Sequence, residues 1–311
     1  MDNHPLDYLI EQYLSEKDIT KGSFELYKII LNQYRDYLKE HNITYAKKTD
    51  IVNYINLKKK SGYSNNWLFH QVQTIKAFYK YLSLNQTRLN LHETYAYDIT
   101  ESIKNVSKKP RTSNTVLTVE QAKQLLIQTK ENRKYIWHYR DYAIIYLMLL
   151  TGLRGVEIRR AKKKDLKVIN QETVLYIQGK GKTQADMFVK VSKGVREAIE
   201  DYLLLRKDKS PFLFISHSNH TKNYGLDRTF FNAMFKRVLK EAGLEDVHLT
   251  PHSLRHTAAT LNLLSGGSIE DTKSFLRHED MTSTLIYAHH LNRLEDDSEE
   301  TLENYILGME E

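Results

Sequence analysis

Apolar residues recur at helical spacing through the first hundred positions. Leu6, Leu9, Ile10, Tyr13 and Leu14 predict a helix over 5–16. Leu26, Ile29, Ile30, Tyr34, Tyr37 and Leu38 predict a second over 23–41. A short third contains Ile51, Val52, Tyr54 and Ile55, with Thr49 as its expected cap. Trp67, Leu68, Val72, Ile75, Phe78, Tyr79 and Leu82 give a fourth over 64–84. No alternating strand pattern interrupts these four, so the segment reads as a compact helical domain, assigned to 1–106.

The pattern then changes. Residues 107–116 include Ser107-Lys108-Lys109-Pro110-Arg111-Thr112-Ser113-Asn114, a polar and basic stretch with a proline, which reads as a linker. Helical periodicity resumes after Thr118, an N-cap with Gln121 at the capping-box position. A helix is expected over 139–151, ending at Gly152. Thr173 to Ile177 and Met187 to Val191 alternate like strands around Gly179-Lys180-Gly181-Lys182, a turn; Phe212 to Ile215 suggests another short strand. Helices are expected from Gly194, Asp227 and Pro251. The expected fold is mainly α with a small β-hairpin or three-stranded sheet, in a second domain over 117–293. Residues 294–311 form an acidic tail.

Charge sharpens this picture. The tail from Glu295 to Glu311 holds eight acids and no base. Outside it the chain carries 46 basic residues against 31 acidic ones, a net +15. Between Asn42 and His92 stand Lys47, Lys48, Lys58, Lys59, Lys60, Lys76, Lys80 and Arg88 against one acid, Asp50. Such a body favours a polyanion, nucleic acid first; a merely solvated basic surface is the alternative. The chain has no cysteine, which excludes disulfides, thiolate catalysis and Cys-based zinc sites. The longest apolar run, Tyr142 to Leu150, is too short to cross a bilayer. Met1 to Pro5 lacks a signal-peptide pattern, and a cytoplasmic location is expected.

Four segments of the second domain carry chemistry: Thr151-Gly152-Leu153-Arg154-Gly155-Val156-Glu157-Ile158, Gly179-Lys180-Gly181-Lys182, Pro251-His252-Ser253-Leu254-Arg255-His256-Thr257, and Leu276-Arg277-His278 with Tyr287. Two arginines can clamp a phosphodiester and offset charge building on its oxygens. A lysine can protonate a departing alkoxide, a histidine can share a proton, and a tyrosine hydroxyl can attack phosphorus to form an ester. Together they make a metal-free phosphoryl-transfer site. His252 and His256, with His248 nearby, also stand at a spacing used by zinc ligands, the weaker reading.

The order of these residues resembles that of the tyrosine recombinases, which include phage integrases, transposon integrases and Xer-type resolvases. Their pattern is Arg, Lys, His-x-x-Arg, His or Trp, then Tyr. Arg154, Lys180, His252, Arg255, His278 and Tyr287 match it, with Tyr287 nine positions after His278. Glu157 stands at the usual acidic position, read as holding Arg154 or a histidine. Lys182 competes with Lys180. Two positions depart: Arg277 replaces the usual glycine before the histidine, and Gly155-Val156 replace a commoner apolar-Ser pair.

The resemblance implies a helical, SAM-like core-binding domain joined to an α/β catalytic domain, closing on duplex DNA as a C-shaped clamp. It implies attack by Tyr287 to give a 3′-phosphotyrosyl bond, with Arg154, Arg255, His278 and His252 around the phosphate and Lys180 as acid to the 5′-oxygen. It implies no cofactor and no metal. The implied assembly is a homotetramer on paired sites, and the tail, with Leu302, Tyr305 and Ile306 at helical spacing, suits docking into a neighbouring subunit. Relaxation of supercoils in the manner of type IB topoisomerases, or DNA binding without catalysis, are the other readings.

Overall fold

The computed structural model describes residues 4–107, 116–179, 184–218, 224–245, 247 and 249–277. The chain divides into two compact units, Met1–Thr112 and Ser113–Glu311. The division falls within the segment read as a linker.

The first unit is helical: α1 (Pro5–Ser15), α2 (Lys21–Glu40), α3 (Lys48–Lys60) and α4 (Asn65–Leu84). Its core gathers the apolar stripes of all four, among them Ile10, Tyr13, Ile30, Leu31, Tyr34, Leu38, Ile51, Tyr54, Ile75, Phe78 and Leu82. Each large apolar side chain buried there contributes about 1.5–3 kcal/mol. The Tyr34 and Tyr79 hydroxyls meet at 3.1 Å in the interior. Thr20 and Ser64 cap α2 and α4. The start of α3 corrects the sequence expectation. Thr49 is inside the helix and Lys47 is its N-cap, because the Asp50 carboxylate three residues on accepts the Lys47 amide at 2.7 Å. An acid in the first turn decided the register over the hydroxyl.

The second unit is mixed. Its helices are α5 (Val119–Glu131), α6 (Ile136–Thr151), α7 (Gly155–Arg160), α8 (Lys193–Leu204), α9 (Arg228–Glu241), α10 (Pro251–Leu264) and α11 (Ile269–Leu276). Its sheet is antiparallel in the order β1 (Leu166–Ile169), β2 (Glu172–Ile177), β3 (Met187–Lys190). Thr118 and Gln121 form the expected capping box on α5. The apolar run 142–150 is explained by α6, which packs against α5, α8 and α10. Tyr142, Ala143, Ile144, Ile145, Leu147, Met148 and Leu149 are all buried, so little of this helix faces water. It begins three residues before the expected start.

Strand β1 escaped the sequence reading because three of its four side chains are exposed and leave no alternation to see. The strand suggested at 212–215 does not form. Phe212 and Ile215 make only isolated bridges, to Lys162 and Gly225. Among the described residues no helix is long and apolar enough to cross a membrane.

Candidate active site

The site is built where α6 ends. Gly152 takes a left-handed φ of +59° there, and its amide donates to the Met148 carbonyl at 3.0 Å. Glycine is required twice over. A side chain would be strained at this φ, and an added Cβ would lie 2.6 Å from Leu276 Cδ2 on α11. The chain then turns into α7, with Arg154 as N-cap.

Glu157, in the first turn of α7, is buried and holds Arg154 twice. Its Oε2 accepts the Arg154 amide at 2.8 Å and its Oε1 accepts Arg154 Nη1 at 2.9 Å. A buried carboxylate is tolerated only when paired and hydrogen-bonded. The Arg154 side chain remains 31% exposed.

Helix α10 supplies the second arginine. Thr250 caps it, accepting the Ser253 amide at 3.3 Å, and Pro251 sits at the first helical position, where no amide partner is needed. His252 and Arg255, three apart, share one face of this helix. Arg255 is 2% exposed. Its Nη1 donates to the Gly152 carbonyl and its Nη2 to the Leu276 carbonyl, so one guanidinium ties the end of α6 to the end of α11. His252 is exposed, and its ring meets that of His256 edge-on at 4.4 Å. Thr257 anchors the helix by accepting the Leu117 amide at 3.0 Å.

Arg277 is a third arginine here, one whose place the sequence pattern did not foretell. It ends α11 with φ +55°. Its Nη1 donates to the Phe275 carbonyl at 2.8 Å and the Thr151 carbonyl at 3.3 Å, and its Nη2 lies 3.6 Å from Glu157 Oε2. The unusual residue before His278 was the one signal in the sequence.

Three guanidiniums therefore gather around one carboxylate, a net +2. Burial pushes Arg255 down to about 9, helped by the charges of Arg154 and Arg277 and opposed by Glu157. Burial also lowers Arg277, with Glu157 opposing and Arg154 adding to the effect. Both directions come first from the loss of water around the buried side chains. The cluster's net positive charge suits it to an oxyanion beside Arg154.

Lys180, Lys182, His248, His278 and Tyr287 lie outside the described residues. The nearest described residue to the lysine turn is Gly179, whose carbonyl accepts Arg160 Nη1 at 3.2 Å. Arg160, not singled out from the sequence, thus ties the end of α7 to the residue before Lys180.

In the first unit, Lys47, Lys48, Lys59, Lys60 and Lys80 are exposed. Lys58 lies 5.3 Å from the ring centres of both Tyr54 and Tyr63. Two of the basic residues are engaged internally. Lys76 donates to the Ile103 carbonyl at 2.9 Å, and Arg88 pairs with Glu16 at 2.7 Å.

This is a cluster of guanidiniums suited to a phosphate oxyanion, on a helical scaffold with a small antiparallel sheet. The sequence model of the phage integrase family matches residues 115–293, more than half of the chain. The chain belongs to that family, the tyrosine recombinases, enzymes that break and rejoin DNA strands. It is 25% identical over 299 residues to the tyrosine recombinase XerD of Listeria innocua, covering 92% of this chain and 94% of that one. It is 28% identical over 277 residues to the tyrosine recombinase XerA of Thermococcus kodakarensis, covering 89% and 88%. Its fold is similar to that of the XerH site-specific recombinase solved with a palindromic difH substrate after cleavage: TM-score 0.73, 20% identity, 89% of this chain and 79% of that one. It is also similar to a lambda integrase dimer bound to a COC′ core site: TM-score 0.68, 14% identity, 89% and 96%.

Proposed function

We propose that the chain binds duplex DNA and acts as a site-specific recombinase, for integration, excision or resolution, in the cytoplasm. Arg154 and Arg255 hold the scissile phosphate. Tyr287 attacks phosphorus as its phenolic proton leaves, with His252 as the acceptor. The bond from phosphorus to the 5′-oxygen breaks, and Lys180 protonates that oxygen. A 3′-phosphotyrosyl ester and a free 5′-hydroxyl result. His278 and the two arginines stabilise the phosphorane-like transition state. The 5′-hydroxyl of a partner strand then attacks the ester and returns the tyrosine. The ester conserves the bond, so the exchange needs no ATP. The arginines meet the developing charge.

The observation that carries this reading is the joining of Arg154 and Arg255 through the Gly152 turn. Two motifs about a hundred residues apart are brought to one place, where three guanidiniums share the single carboxylate of Glu157. The basic surface of the first unit adds a sequence-independent hold on DNA. Two dimers on paired sites would make the tetramer that strand exchange requires.

The nucleophile is the point to test. Tyr287→Phe removes only a hydroxyl. On a suicide substrate nicked near the cleavage point, the unaltered protein should form a covalent adduct on a denaturing gel. The variant should bind the same DNA and form none. An adduct with the variant would overturn the assignment.

A further inference from the structure

We propose that Arg277 is a positioning residue of this site: it shares the charge of Glu157, which still holds Arg154 in place, and so leaves more of the Arg154 positive charge to the phosphate. The inference rests on the recombinase reading and deepens it. Four observations support it.

First, Arg277 holds a backbone conformation that side chains rarely adopt, φ +55°. Strain of this kind persists where the surroundings enforce it, and it points to a role. Second, the Arg277 side chain is only 9% exposed, so it is turned into the protein rather than to solvent. Third, among the described residues its Nε and Nη2 make no hydrogen bond, while Nη2 stands 3.6 Å from Glu157 Oε2. It meets the carboxylate mainly through charge. Fourth, that carboxylate is the group that grips Arg154 through both oxygens.

The charges explain what this does. Without Arg277, Glu157 and Arg154 neutralise each other and only Arg255 is left over, a net +1. With Arg277 the cluster is +2. A phosphodiester brings one negative charge and a phosphorane-like transition state two. The added guanidinium therefore matches charge that appears only as the reaction proceeds. It should act on the rate of cleavage more than on DNA affinity.

The experiment compares Arg277→Gly and Arg277→Lys, each alone and combined with Glu157→Gln. Three measurements are made: single-turnover cleavage of a nicked suicide substrate at saturating protein, half-site affinity, and thermal melting. Arg277→Gly should melt close to the unaltered protein, since relief of the strain at this φ offsets the lost bonds to the Thr151 and Phe275 carbonyls. It should bind the half-site within threefold of the unaltered protein and cleave at least about tenfold more slowly. Arg277→Lys should recover part of the rate. In the Glu157→Gln background, removing Arg277 should cost less than about threefold, because no carboxylate is left to neutralise.

The proposal is overturned if Arg277→Gly cleaves at the normal rate, or if its defect is equally large with and without Glu157. It is also overturned if Lys restores nothing while melting falls in both variants, which marks a structural role alone. If the unaltered protein itself forms no adduct, the recombinase reading fails. If it forms one and Arg277→Gly matches it, only the present inference fails.

Discussion

Gly152 and Leu276 approach so closely that a Cβ on the glycine would sit 2.6 Å from Leu276 Cδ2. The Leu276 carbonyl and the Gly152 carbonyl also accept the same Arg255 guanidinium. The glycine is thus the point where α6 and α11 are fastened around the arginine. Gly152→Ala must either strain a residue at φ +59° or push α11 away. The conformational strain alone costs roughly 1–2 kcal/mol, and overpacking typically adds about 1–3 kcal/mol. The variant should therefore unfold at lower denaturant than the unaltered protein, by at least about 2 kcal/mol, and should lose cleavage at temperatures where it is still folded. Denaturant titration followed by circular dichroism, with an adduct assay at low temperature, checks both parts. An alanine variant of normal stability would mean that the contact between α6 and α11 is loose.

The leaving group offers a chemical test of the lysine turn. If Lys180 protonates the departing 5′-oxygen, Lys180→Ala should be slow on ordinary DNA. A bridging 5′-phosphorothiolate leaves as a thiolate and needs no proton, so it should restore cleavage to this variant. Arg154→Ala should not be rescued, because its loss is of charge on the phosphate rather than of a proton. Rescue of Lys182→Ala in place of Lys180→Ala would transfer the role to the second lysine.

Much of the architecture could be read in advance because its causes are local. The Thr118 cap, the helix end at Gly152 and the apolar stripes of the first unit all act within a few residues. What escaped depends on choices between near-equal local signals, or on distant packing. Thr49 and Lys47 were both available to start α3, and Asp50 settled it through a side chain reaching back. Strand β1 is exposed and shows no period of its own, so its pairing with β2 defines it. The chemistry of Arg154 and Arg255 was visible as two motifs, but their joining through the Gly152 carbonyl is tertiary. So is the placement of Arg277 against Glu157, 120 positions apart in sequence. A list of motifs names the side chains but cannot say which carboxylate a given arginine will meet.

The basic residues of the first unit divide into two groups with different expected behaviour. Lys59 and Lys60 are exposed at the end of α3, and Lys58 leans over Tyr54 and Tyr63 beside them. If these three reach phosphates, replacing them together with alanine should flatten the dependence of affinity on salt. Each lost contact removes about 0.9 logarithmic units per decade of salt, so the full change is about 2.7 units. Arg88 is different. It is paired with Glu16, whose carboxyl it holds down to about 2, and Lys76 is bonded to a backbone carbonyl. Arg88→Ala and Lys76→Ala should leave the salt slope nearly unchanged, and Lys76→Ala should lower the melting temperature. Affinity measured between 50 and 200 mM salt, about the range over which such contacts are lost, separates the two groups. An unaltered slope in the triple variant would make 58–60 a solvated face.

The acidic tail, which lies outside the described residues, sets the last expectation. Eight acids between Glu295 and Glu311 belong to a chain whose remainder is strongly basic. Against DNA that segment would be repelled. Yet Leu302, Tyr305 and Ile306 recur at the spacing of one helical face, which a solvated acidic coil does not need. Docking onto the basic body of an adjacent subunit satisfies both facts. In such docking the apolar face would be buried and the acids would meet positive charge, which would steer the pairing and set its register. Ending the chain at Arg293 should therefore leave binding of one subunit to a half-site intact. Cooperative binding to a full site should weaken and recombination should fall, while isolated cleavage events persist on a suicide substrate. Gel-shift titrations of both proteins on half and full sites give the measurement. Raising the salt should weaken cooperativity in the full-length protein more than in the shortened one, since only the former has charge pairs to screen. Equal cooperativity in the two proteins would refute docking and leave the tail as a solvated terminus.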